Sequence, residues 1–185
     1  MSRSTDDVRI ASARPLITPW VLAEELPLPE SIAADIADAR RTIESILANR
    51  DPRVLAIVGP CSVHDPDALL DFARQFKAMC EPLRDAIFPV LRVYFEKPRT
   101  VVGWKGLIND PELDGSFHIN RGLHLARKVL LDVSQLGLPA ASEFLDTTFG
   151  QYYADLVSFG AIGARTVESQ IHRELASGLS MPVGF

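Results

Sequence analysis

The chain reads as an α/β protein built on a parallel sheet, and three observations carry that reading. Short apolar, β-branched runs alternate with amphipathic helical segments through residues 54–185. The runs close on turn residues, as VLAIVG (54–59) closes on Gly59-Pro60. The segments between successive runs are long enough to hold a crossover helix, which parallel neighbours require. Five runs occur, at 54–59, 88–95, 139–146, 160–166 and 182–185. Five strands cannot close a barrel of eight, so the choice lies between a doubly wound sheet and an incomplete (β/α)8 TIM barrel, the opening part of something longer.

Residues 1–50 are expected to form an N-terminal arm and helix, and 51–185 the first part of the sheet domain. Pro15, Pro19, Pro27 and Pro29 forbid a long helix early on. From there Ile32, Ile36, Ile43 and Ile46 recur at helical spacing. After the first strand, Asp65 is placed to cap a helix over 65–83, with Pro66 at its first position. The second strand, FPVLRVYF (88–95), leads into a polar stretch over 96–118 that is too long and too rich in glycine and proline for an ordinary connection. Loops of that kind in compact domains usually carry function. A helix over 120–137 ends at Gly137, where a left-handed cap belongs. Two further helices, 147–159 and 168–179, are predicted between the last three strands.

With 185 residues, 47% hydrophobic and 23% charged, the composition is that of one globular domain or a piece of a larger one. A net charge of -5 gives no footprint for nucleic acid or anionic membrane, which points to a small-molecule partner. Two cysteines, Cys61 and Cys80, are too few for a disulfide framework, so a reducing cytoplasmic setting is expected. The N-terminal stretch lacks the basic and apolar regions of a signal peptide. No apolar segment approaches the roughly 20 residues of a membrane helix.

In parallel α/β folds chemistry gathers where strands end. The first strand ends at Cys61, the second near Arg92, Glu96 and Lys97, the third at Glu143 and Asp146, the fourth at Arg165. Within RVYFEKPRT (92–100) three cations fall close together and Pro98 breaks the strand after Lys97. A planar guanidinium fork beside a compact ammonium suits a phosphorylated, multiply anionic substrate. Arg92 and Lys97 would face opposite sides of a regular strand, so they share a site only if Lys97 lies past its end. Bland readings stand beside these: a lone cysteine is commonly a small buried hydrophobe, which suits Cys80 better than Cys61. Arg40, Arg41, Arg127 and Lys128 are expected on a solvated helix face.

Taken together, GPCSVHD, RVYFEKPRTVVGWKGLINDP, GLPAASEFLD and GAIGARTVESQIHRELASGLSMPVGF resemble the class I 3-deoxy-D-arabino-heptulosonate 7-phosphate synthases of the aromatic-amino-acid-regulated type. The resemblance covers nearly the whole chain and implies a (β/α)8 barrel that joins phosphoenolpyruvate to erythrose 4-phosphate with release of phosphate. It implies that Cys61 ligates a divalent metal ion (manganese, iron, cobalt or zinc) that would polarise the aldehyde. Arg92, Lys97 and Arg165, with Glu143 and Ala164, match the phosphoenolpyruvate pocket, and Arg99 and Thr100 match the turn for the sugar phosphate. Lys97 is the candidate for proton transfer or for its electrostatic support. The family's remaining metal ligands lie beyond Phe185, so the chain alone is expected to be inactive.

The resemblance also implies a pocket for an inhibitory aromatic amino acid. Asp6 and Asp7 match arm residues that reach a neighbouring subunit of a homo-oligomer, and Gly150, Gln151, Leu179 and Ser180 match the rest. Gly150 stands in a turn where relatives sensitive to phenylalanine or tyrosine tend to carry proline, and the lost side chain is expected to make room for an indole, favouring tryptophan slightly. The alternatives are a related synthase making an eight-carbon sugar acid, a non-catalytic fragment that associates with full-length subunits, and a Schiff-base aldolase using Lys97 or Lys105.

Overall fold

The computed structural model describes residues 5–185. Its five strands are β1 (Val54–Val58), β2 (Ile87–Arg92), β3 (Ala140–Glu143), β4 (Phe159–Ala161) and β5 (Val183–Gly184). They lie side by side in chain order and every pair is parallel. A doubly wound sheet reverses its strand order at a switch point. This one never does, which is the arrangement of consecutive barrel strands. The sheet is therefore part of a (β/α)8 barrel.

Five helices accompany it: α1 (Pro19–Glu25), α2 (Glu30–Leu47), α3 (Pro66–Cys80), α4 (Ile119–Gln135) and α5 (Gln170–Gly178). The sequence signals at their ends are used as expected. Asp65 caps α3 by accepting from the N–H groups of Asp67 and Ala68 at 2.9 and 3.2 Å, and Pro66 opens the helix. Gly137 takes φ +74° just past α4. The short helix α1 was not anticipated; Pro19 opens it and Thr18 caps it.

The period of two along each strand divides the core. One face packs outward against α3 and α4, with Leu91, Val93, Leu123 and Leu130 buried between the layers. The other face is the barrel interior, where Val90 and Ala141 gather Leu55, Ile57, Phe88 and Phe159. Ile43 of α2, fully buried, joins this inner cluster, so α2 plugs the N-terminal mouth of the sheet. Leu22, Ile32 and Ile36 join the outer core. Residues 19–50 thus pack as one body with the sheet.

Two expectations are corrected. The helix predicted over 147–159 is replaced by two short 3-10 turns, Phe149–Tyr152 and Ala154–Leu156. Phe149, Tyr152, Tyr153, Leu156 and Val157 are all buried, which leaves the segment no solvated helical face. Its carbonyls, unmatched by any α-helical ladder, are taken by two arginines. Arg127 donates to the Tyr152 carbonyl at 3.0 Å and bidentately to Asp155 at 2.8 and 2.9 Å. Arg40 donates to the carbonyls of Val157 and Ala154 at 2.7 and 3.0 Å. The solvated face expected for Arg40 and Arg127 is the second correction: Arg127 is buried at 2% exposure, and both staple these turns. Among the described residues no helix is long and apolar enough to cross a membrane.

Candidate active site at the carboxyl mouth of the sheet

The inner-face period that buries Phe88 and Val90 makes Arg92 the next inward residue of β2, and the same count along β3 runs from Ala141 to Glu143. These are the last residues of their strands, so their polar ends emerge at the carboxyl mouth. Cys61 arrives from the turn after β1, where a side chain at Gly59 would strike the Arg92 carbonyl at 2.5 Å. Arg165 and Ala164 arrive from the turn after β4, closed by the Thr166 N–H on the Gly163 carbonyl at 2.9 Å.

Lys97 lies five residues past the end of β2, as the shared-site reading requires. Its backbone N–H donates to the Lys105 carbonyl at 2.9 Å, and Glu96 bridges Gly106 in antiparallel fashion. The long 96–118 stretch therefore folds back on itself as a tongue, anchored by buried Leu107 and Ile108. Gly106 sits at φ +113°, where an added Cβ would collide with the Phe95 carbonyl.

The Lys97 ammonium donates to Cys61 Sγ at 3.0 Å. That hydrogen bond and its charge hold the exposed thiol below its usual value. Arg92 Nη2 donates to the Cys61 carbonyl at 3.2 Å, and its guanidinium lies 3.7 Å from the centre of the Tyr94 ring. Arg92 Nε is buried without a hydrogen-bond partner. A donor in that condition, in a cleft of cations, is what an anionic oxygen would satisfy. Burial pushes the Glu143 carboxyl up against the opposing pull of Arg92, Arg165 and Lys97. Gly163 is needed beside it, since a side chain there would overlap the Glu143 carboxylate.

Cys61, Arg92, Lys97, Arg99, Glu143, Ala164 and Arg165 line one cleft of about 490 Å³. A neighbouring cleft of about 370 Å³ shares Lys97, Arg99 and Arg165 and adds Thr100, Lys105 and Asn109. Glu96 belongs to both walls and is buried, accepting from the Asp146 N–H at 3.2 Å; burial pushes its carboxyl up to about 7. Tyr94, Ser62 and Asn109 were not singled out as site residues from sequence, and Lys105 entered only as a Schiff-base alternative to Lys97. Tyr94 was within reach, two residues from Arg92 on the same strand face; Asn109 comes from the tongue, whose path no periodicity encodes.

Cys61 does not make a metal site by itself. Among the described residues no three histidine, cysteine or acidic side chains come together to hold an ion, and a tetrahedral centre needs three or four donors. The effector candidates are scattered. Leu179 and Ser180 line a cleft of about 430 Å³ with Arg40, Asp155 and Met181. Gln151, Asp6 and Asp7 are exposed and stand outside that lining. Gly150 is buried beneath Phe144, whose ring an added Cβ would meet at 2.8 Å, so its missing side chain opens no room for an indole.

Fold and rim together define a protein built on part of a (β/α)8 barrel, with cations gathered at the carboxyl ends of its strands. The chain belongs to the DAHP synthetase I family, whose model matches residues 30–185. It is 57% identical over 185 residues to the Phe-sensitive phospho-2-dehydro-3-deoxyheptonate aldolase of Escherichia coli (strain K12), covering 100% of this chain and 53% of that protein. The Trp-sensitive enzyme of Salmonella typhimurium is 55% identical over 181 residues, 98% of this chain and 52% of the relative. The Tyr-sensitive enzyme of Escherichia coli (strain K12) is 56% identical over 180 residues, 97% of this chain and 51% of the relative. A phospho-2-dehydro-3-deoxyheptonate aldolase structure from Francisella tularensis SCHU S4 superposes with a TM-score of 0.92 at 50% identity, covering 95% of this chain and 52% of that one. The chain thus spans about half the length of the relatives it matches.

Proposed function

We propose that this chain is part of a 3-deoxy-7-phosphoheptulonate synthase, which condenses phosphoenolpyruvate with erythrose 4-phosphate and water and releases phosphate. The observation that carries this reading is the pair of abutting clefts sharing Lys97, Arg99 and Arg165. Two multiply charged substrates repel one another, and a common wall of cations offsets that repulsion while fixing the angle of attack. Arg92, Lys97 and Arg165 hold the carboxylate and phosphate of phosphoenolpyruvate, with Glu143 and Ala164 in the same pocket. Arg99 and Thr100 hold the sugar phosphate. The C3 carbon of phosphoenolpyruvate then attacks the aldehyde, and water adds at C2 as phosphate leaves. Lys97 donates or stabilises the proton in that step.

A divalent ion on Cys61 would need further donors, so no step is routed through it, and the 185-residue chain by itself is proposed to have no synthase turnover. The names of the relatives support feedback by an aromatic amino acid; its site is proposed at the Leu179–Ser180 cleft, completed by Gln151 and by Asp6 and Asp7 of a second subunit in a cytoplasmic homo-oligomer. Identities of 57%, 55% and 56% to the Phe-, Trp- and Tyr-sensitive enzymes do not choose among the three.

Calorimetric titration of the chain with phosphoenolpyruvate tests the anion cleft. Binding is expected, and it should weaken at least about tenfold in Arg92→Ala and in Arg165→Ala. Absence of binding at millimolar ligand, or affinity indifferent to both changes, would defeat the assignment. Product formation by the purified chain with added manganese would defeat the proposed inactivity.

A further inference from the structure

At the opposite end of the strands a separate cleft of about 440 Å³ opens between α2 and the turns that lead into β2, β3 and β4. Its apolar part is formed by Phe88 and Pro89 at the start of β2, Leu138 and Pro139 before β3, and Ile36 of α2. A phenyl ring and two prolines give it flat faces, the shape that receives a ring or a branched aliphatic group. None of these residues belongs to the rim at the carboxyl ends of the strands, and of them Ile36 alone is shared with the Leu179–Ser180 cleft, on the other side of α2.

The charged residues of this cleft fall on different elements. Asp35 and Asp38 stand on α2, whereas Lys77 and Arg84 stand on the last turn of α3 and the turn after it, with Glu81 beside Arg84. Opposite charges so placed commonly pair, yet no ion pair spans this cleft among the described residues. Asp38 pairs with Arg41 of its own helix, and Arg84 with Glu81 at 3.2 Å. Lys77 gives one N–H to the Leu136 carbonyl at 2.6 Å and has no acidic partner among the described residues. Asp35 makes no ion pair or side-chain hydrogen bond among the described residues. A third observation points to an occupant: Ser158, fully buried, lines the cleft with a hydroxyl that has no hydrogen-bond partner.

These features select a ligand class. An anion would meet Asp35 and Asp38 as well as the cations, and a cation would meet Lys77 and Arg84. A wholly apolar molecule would leave both sets of charges and the serine unanswered. Only a molecule carrying both charges on an apolar body satisfies every part of the lining. We propose that this cleft binds a small apolar zwitterion, of amino-acid or dipeptide size. Its ammonium lies toward Asp35, its carboxylate toward Lys77 and Arg84, and its apolar body on Phe88, Pro89 and Pro139. Because α2 forms one wall and also plugs the barrel through Ile43, the ligand pins that helix in its seat. Residues at the N-terminal face of a barrel act on stability and not on chemistry, so occupancy stabilises the seat of α2.

Amide shift mapping on the isotopically labelled 185-residue chain tests this, with L-phenylalanine and glycyl-L-phenylalanine as probes and phenethylamine and 3-phenylpropionate as single-charge controls. The expected result is saturable movement of the amides of Thr42, Gly137, Leu138 and Ser158 with one of the two zwitterions; which one it is fixes the ligand size. Affinity should drop at least about tenfold with either control and in Asp35→Asn and Arg84→Gln. Both variants alter exposed side chains, and an unchanged amide fingerprint without ligand verifies their folding. Either control binding as tightly as the zwitterions would overturn the proposal, as would affinity unaltered in both variants. Shifts confined to residues 149–155 and 176–181 would also overturn it, while leaving the aromatic effector reading intact.

Discussion

Glu96 ties the rim together, since its carboxylate receives the Asp146 N–H at the end of β3 while its carbonyl accepts from Ser62 Oγ at 3.5 Å after β1. Burial raises its pKa from 4.5 to about 7, so the folded chain holds this proton more tightly than the unfolded chain does. Its stabilising contribution is complete below about pH 4.5 and is lost as pH rises through about 7, roughly 3 kcal/mol across the window. Urea unfolding of Glu96→Gln, which stays neutral throughout, should lack this decline; parallel slopes for the two proteins would refute the assignment. Cys61 offers a second measurement. With the Lys97 ammonium removed in Lys97→Met, the thiol should titrate at higher pH and its iodoacetamide reaction near neutrality should slow by several-fold. An unaltered alkylation profile would mean that the 3.0 Å contact does not govern the thiol. Cys61, Arg92, Lys97 and Arg165 could be placed on one rim in advance because each lies near the carboxyl end of an apolar run. Arg127 was not, because a helical pattern marks a charged residue as outward-facing and cannot register the Asp155 carboxylate that draws it inward.

The elements that punctuate the chain strongly were readable in advance. Asp65-Pro66 at the start of α3 and Gly137 after α4 act through local backbone chemistry, and local chemistry is written in a few adjacent residues. The 149–157 segment misled because its apolar residues resemble a helix face, while its actual form depends on Arg40 and Arg127 supplying donors from distant elements. The long loop over 96–118 was foreseen, but not its fold-back, which rests on the Leu107 N–H meeting the Phe95 carbonyl at 2.7 Å. Gly106→Ala tests that geometry. The added methyl collides with backbone in a conformation that alanine avoids, so a loss of at least about 2 kcal/mol in unfolding free energy is expected. Lys97 and Arg99 should lose their alignment together, and weakened phosphoenolpyruvate binding would accompany the loss. A variant as stable as the parent would show that the turn at Gly106 is not constrained.

For the molecule as a whole, alternation of strands and helices predicted a parallel sheet but could not choose between a doubly wound sheet and a barrel. That choice depends on which strand edges meet, and the unbroken order from β1 to β5 is a tertiary fact. Nor could sequence say that the inner face is occupied: Ile43 looked like one more apolar residue of an amphipathic helix. Ile43→Ala should cost about 2–5 kcal/mol in chemical denaturation, far more than truncating the half-buried Ile46 of the same helix. Equal effects at the two positions would contradict the plug. Among the described residues the outer edges of β1 and β5 have no strand beside them, and Val54 is 64% exposed. Light scattering of the chain should accordingly reveal concentration-dependent association. The position of α2 in the order of synthesis gives its seat a further meaning. Because α2 precedes every strand in the chain, it leaves the ribosome first, and the inner faces of the strands that follow find Ile43 already made to pack against.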